Sequence, residues 1–78
     1  MQNKNIVHRY FKKELGDYTI IVQVDPETFM GLELIKHPDG KLEKTKMTFD
    51  EDIYEDLKVD EFEETNGLAF NLYLKGLA

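Results

Sequence analysis

Seventy-eight residues without cysteine admit one small domain and exclude disulfides and thiolate metal sites as supplements to its core. Hydrophobic residues make up 41% of the chain, which suits a folded domain rather than disorder, and the formal net charge is −6. That balance disfavours general affinity for nucleic acid or anionic membrane, because neutralising phosphates needs clustered Lys and Arg.

The charge is unevenly placed. Residues 1–46 carry eight basic and seven acidic side chains, a net of +1, whereas residues 47–78 carry two basic and nine acidic, a net of −7. A domain of this size buries only roughly 60% of the surface its unfolded chain exposes. The core must therefore pack efficiently, or a second copy of the chain must complete it.

The N-terminal MQNKNIVHRY shows neither a long apolar stretch nor a small-residue cleavage site, and no segment approaches the roughly 18 apolar residues of a membrane span. The cytoplasm is the expected compartment. Residues 5–15 fit two states. Val7, Phe11 and Leu15 recur at helical spacing, with Gly16 placed to end a helix. Ile6, Val7, Tyr10 and Phe11 also suit a strand pairing with 18–24. The helical spacing favours an N-terminal helix at 5–15.

YTIIVQV (18–24) is the best single strand, rich in β-branched and aromatic residues. DPET (25–28) turns it into a second strand, 29–37, with Val24 opposite Phe29 and Val22 opposite Gly31. HPDGK (37–41) carries the chemistry of a three-residue hairpin loop: Pro38 presets φ, Asp39 bonds locally and Gly40 accepts positive φ. It pairs His37 with Lys41 and Ile35 with Glu43, and sets a third strand at 41–49. One face of this meander then gathers Tyr18, Ile20, Val22, Val24, Phe29, Ile35, Met47 and Phe49. The opposite face holds Ile21, Met30, Leu32, Leu34 and Leu42 beside Lys44 and Lys46, so the sheet needs cover on both sides.

Thr48 and Glu51 fit a capping box, and Phe49, Ile53 and Leu57 share one helical face, so a short helix is expected at 49–58. GLAFNLYLKG alternates Leu68, Phe70, Leu72 and Leu74 with Ala69, Asn71, Tyr73 and Lys75, which reads as a further strand at 68–75. A three-residue loop, Thr65-Asn66-Gly67, would join it in a hairpin to residues 59–64 and set Phe62 opposite Phe70. A C-terminal helix is the alternative state for this leucine-rich stretch. The expected fold is α+β: one domain, residues 1–78, with an antiparallel sheet of three to five strands.

Common enzyme chemistry lacks its usual carriers. Serine and cysteine are both absent, and none of Thr19, Thr28, Thr45, Thr48 and Thr65 shows a base-pairing context. His8 and His37 have no partner defined by the sequence. The acidic run offers hard oxygen ligands but breaks the calcium-loop pattern: starting at Asp50, the fifth position is Tyr54 and the glycine position is Glu55. No glycine cluster cradles a phosphate. No cofactor, no metal and no catalytic residue are therefore expected, and the chain reads as non-enzymatic.

Two surfaces remain as candidates for a partner. Nine of the seventeen residues 49–65 are acidic. Asp50, Glu51 and Asp52 suit a first helical turn, and Glu55 and Asp56 a solvent face. Asp60, Glu61, Glu63 and Glu64 are the surplus. Ile21, Met30, Leu32 and Leu34 form an apolar interface unless the N-terminal segment covers them. The expected function is a small protein-interaction domain, with a homodimer as one form. The alternatives are an acidic nucleic-acid mimic that inhibits a basic partner, and a small-molecule binder.

Overall fold

The computed structural model describes residues 7–77. Its first element is a strand, β1 (Arg9–Leu15), not a helix. The helix expected at 5–15 is thus replaced by a strand over 9–15; residues 5 and 6 lie outside the described residues. The reason is the hairpin to β2 (Tyr18–Val24), in which Leu15 pairs with Tyr18 and Phe11 with Val22. Gly16 opens the two-residue loop at φ 62°, the conformation of a type II′ turn. As a strand, β1 sends Tyr10 to one side of the sheet and Phe11 to the other, and each joins a different core cluster.

β2 runs into β3 (Met30–Lys36) through a longer loop than DPET alone. Val24 pairs with Gly31 and Ile20 with Ile35, two residues beyond the expected register. The Asp25 carboxylate accepts the Glu27 N–H at 2.8 Å, and the Phe29 N–H bonds the Asp25 carbonyl at 2.8 Å. Phe29 closes the loop at φ 60°. A slip of two preserves side-chain parity, so every residue keeps its expected face. At Gly31 a Cβ would overlap the Gln23 carbonyl, so the backbone itself requires glycine there.

The PDG loop behaves as expected. His37 N–H bonds the Lys41 carbonyl, Gly40 takes φ 93°, and Ile35 pairs with Glu43 in β4 (Leu42–Thr48). The three strands of the expected meander are present.

The helix α1 covers Ile53–Val59 and starts later than expected. Thr48 stays in β4 opposite Met30, and Phe49 N–H bonds the Phe29 carbonyl, so the capping box cannot form. Residues 50–52 make a turn instead, with the Asp50 carboxylate accepting the Asp52 N–H. The helix ends in a Schellman motif: Phe62 N–H bonds the Leu57 carbonyl and Glu61 N–H the Lys58 carbonyl. Glu61 occupies the left-handed position at φ 66°.

Residues 63–65 form β5 (Glu63–Thr65), which pairs with β1 rather than with the C-terminal segment. The strand expected at 68–75 is instead a helix, α2 (Gly67–Leu74). Its N-cap is Asn66, whose side chain accepts the Ala69 N–H at 2.9 Å. Gly76, at φ 74°, holds the left-handed position of its closing Schellman motif. The leucine alternation dissolves on this helix: Phe70 is buried and Leu74 packs beside it, while Leu68 and Leu72 are exposed.

The sheet is antiparallel throughout, in the order β4-β3-β2-β1-β5. The α1 face gathers Phe11, Val22, Val24 and Leu57, with Ile20, Phe49, Ile53 and Tyr54 packed against them. The opposite face gathers Ile21, Leu34 and Phe70, with Tyr10, Leu32, Leu42 and Tyr73 around them. The chain is α+β, with a helix against each face of the sheet. Among the described residues, no helix is long and apolar enough to cross a membrane.

Candidate partner-binding surface

The surplus acids do not form one ridge. Glu61, Glu63 and Glu64 line a groove of about 540 Å³ at the β5 edge, together with Lys12 and Lys13 from β1. Asp60 is exposed at the end of α1 and is not part of that lining. Glu64 is engaged within the chain. Arg9 Nε and a terminal guanidinium nitrogen donate to its two oxygens, each at 3.1 Å. The same guanidinium lies over the Tyr54 ring, 4.3 Å from its centroid. This fork holds the Glu64 carboxyl below the usual carboxylate range and raises Arg9 above its ordinary value. Lys12 is raised chiefly by Tyr73. Lys12 and Lys13, lying in the same lining, partly balance the acids of this groove.

The apolar candidate divides. Ile21 and Leu34 are core residues beneath α2, at 1% and 0% exposure, and offer nothing to a partner. Their cover is α2, with Tyr10 of β1 packed beside it. Met30 is 56% exposed, and Leu32 is half-buried beside it. Both line a shallow hollow of about 500 Å³ with His8, Gln23, Lys46 and Thr48.

That hollow adjoins a feature the sequence pattern does not single out. β4 is the last strand of the sheet, and among the described residues no strand lies beyond it. The bonds from His37 N–H to the Lys41 carbonyl and from Phe49 N–H to the Phe29 carbonyl set the alternation of the ladder. Residues 43, 45 and 47 turn their backbone groups toward β3. Leu42, Lys44, Lys46 and Thr48 turn theirs outward. The result is an edge about 23 Å long at ~3.3 Å per residue. The side chains of Lys44 and Lys46 are exposed along it, on the same sheet face as α2 and the hollow.

The histidines are placed apart. His37 Nε2 lies 2.8 Å from Glu43 Oε1, and its ring meets Tyr18 edge-on at 5.1 Å between centroids. His8 borders the hollow on the other side of the molecule's hairpin ends, with Asp25 also in the lining. Among the described residues no charged side chain is buried, and no group of three or more His, Asp or Glu side chains is placed to hold a metal ion. Open edges are invisible to local pattern because they depend on sheet order. The lysine alternation of KLEKTKMTF is the sequence mark of such an edge: it disfavours pairing with a like-charged or identical strand and leaves an oppositely charged one admissible.

Comparison with family models, with curated proteins and with solved structures finds no match for this chain.

Proposed function

We propose that the chain is a small non-enzymatic protein-interaction domain that receives an extended segment of its partner at the β4 edge. One observation carries this reading: Leu42, Lys44, Lys46 and Thr48 turn their backbone groups away from β3, on a seven-residue strand at the end of the sheet. An added strand would satisfy those groups, which is the basis of recognition by strand addition. Met30 and Leu32 in the adjoining hollow supply apolar area beside the edge.

A second copy of the chain is the weaker occupant of this edge. Two β4 strands paired antiparallel about Thr45 would set Lys44 opposite Lys46 of the other copy, and shifting the centre to Lys44 or Lys46 sets a lysine opposite itself. Like charges directly opposed are destabilising.

The variant Lys44→Pro tests the reading. Proline removes an outward N–H without taking a hydrogen bond from the β3 ladder, a position where edge strands tolerate it. Wild type and variant, each confirmed folded by its melting curve, would be used to capture proteins from the source cell. Loss of the captured partners supports strand addition; an unchanged set sinks it.

The alternative, an acidic mimic of nucleic acid, draws on the exposed carboxylates Glu55, Asp56 and Asp60 along and beyond α1. The Arg9–Glu64 fork and the lysines of the β5 groove weaken it. It requires capture that fails when Glu55, Asp56 and Asp60 are replaced by their amides.

A further inference from the structure

Resting on that reading, we infer that the β4 edge selects an antiparallel segment with the local pattern acidic, any, acidic, basic. The register supplies the code. On β3 and β4, the face shared with α2 carries Met30, Leu32, Leu34 and Lys36, opposite Thr48, Lys46, Lys44 and Leu42. No carboxylate stands among these eight residues, and three of them are lysines. The other face carries Glu33 and Glu43. A strand laid against β4 therefore meets positive charge on one face and negative charge on the other.

Side chains directly opposite in an antiparallel pair share a face, so each position is constrained. The residue opposite Lys46 and the residue two further on, opposite Lys44, favour carboxylates. The residue between them faces Thr45 and is unconstrained by charge. The next one, opposite Glu43, favours Lys or Arg, although one oxygen of that carboxylate already meets His37 Nε2 at 2.8 Å. Antiparallel pairing is chosen because its hydrogen bonds run perpendicular to the strands and are slightly stronger per residue.

The chain's net negative charge does not oppose this. The acids of the β5 edge lie four strand spacings away, about 19 Å at ~4.8 Å per spacing. That is beyond the screening length of about 8 Å at physiological salt. Asp50, Glu51 and Asp52 follow β4 past Thr48, so the positive charge of this edge is local to Lys44 and Lys46.

The test uses the full chain and two synthetic peptides, Thr-Val-Glu-Thr-Glu-Lys-Val and its charge inverse Thr-Val-Lys-Thr-Lys-Glu-Val. Backbone amide shifts and amide exchange are followed during titration. The first peptide is expected to shift residues 42–48, to slow exchange at Lys44 and Lys46, and to bind about tenfold more tightly than the second. The double variant Lys44→Glu/Lys46→Glu alters only exposed side chains and is expected to reverse the preference. Equal binding of both peptides at β4 would overturn the charge code while leaving strand addition standing. Absence of any β4 shift with either peptide would overturn the inference, and the Lys44→Pro capture would then decide separately whether strand addition survives.

Discussion

Arg9 and Glu64 join the first strand to the last through a two-pronged ion pair, with both guanidinium–carboxylate contacts at 3.1 Å. The pair ties β5, only three residues long, to β1 and stacks over Tyr54 of α1. The acidic surplus therefore contains one carboxylate with a structural task.

That task has a pH signature. The Glu64 carboxyl lies below its ordinary value, first because of the Arg9 hydrogen bond. A lowered folded value contributes stability that is present above the unfolded value and is lost as pH falls through the folded one. Both partners are substantially exposed, at 41% and 53%, so solvent screening limits the contribution to about 0.5 kcal/mol. In an NMR titration the Glu64 midpoint should lie below that of an ordinary glutamate and return upward in Arg9→Met. A midpoint unmoved by that substitution would remove the ion pair as its cause.

Glu61 sits where glycine is preferred. It holds the left-handed position of the Schellman motif that ends α1, at φ 66°. Glu61→Gly should stabilise the fold by about 0.5–1 kcal/mol, because the Cβ penalty disappears. Chemical denaturation would show a higher midpoint with an unchanged slope. A lower midpoint would mean that the glutamate side chain contributes more than its backbone costs.

Gly31→Ala tests the close approach of β3 to β2. The added Cβ would overlap the Gln23 carbonyl, and backbone cannot rotate away as a flexible side chain could. A loss of more than about 2 kcal/mol is expected, in the range of strained core substitutions. A loss within ~0.5 kcal/mol would show that the two strands separate easily at this point.

Phe70 is the main anchor of α2, and its ring lies 5.2 Å from that of Tyr10. Phe70→Ala should cost about 3–5 kcal/mol and leave Ile21 and Leu34 without cover. Asn66→Ala removes only the cap and should cost ~1 kcal/mol. Stability and dye binding to exposed apolar surface would be measured for both. Equal losses in the two variants would contradict the role of Phe70 as the anchor.

How much was legible varies by element. The PDG hairpin was readable to the residue, because Pro38, Asp39 and Gly40 act through local backbone geometry. The faces of β2 and β3 were readable although their register was displaced by two, since parity survives an even slip. β1 departs from the helical spacing of Val7, Phe11 and Leu15, because Gly16, which also suits a helix end, instead opens the hairpin turn to β2. α2 departs in the opposite direction. Its alternating leucines suit a strand, yet Asn66 and Gly76 mark the two ends of a helix. Of the candidate partner residues, Met30 and Leu32 border the hollow, Ile21 and Leu34 belong to the core, and Glu64 is paired with Arg9.

The amino-acid sequence by itself determined the α+β class, the central meander, the parity of its faces and the amphipathic character of α1. These rest on period and turn chemistry, which act over a few residues. The tertiary structure decided which segment covers the second face, that β5 joins β1, and that β4 is left as the longer of the sheet's two edges among the described residues. Those outcomes depend on competition among distant segments for the same uncovered sheet surface, and no local pattern records who wins it.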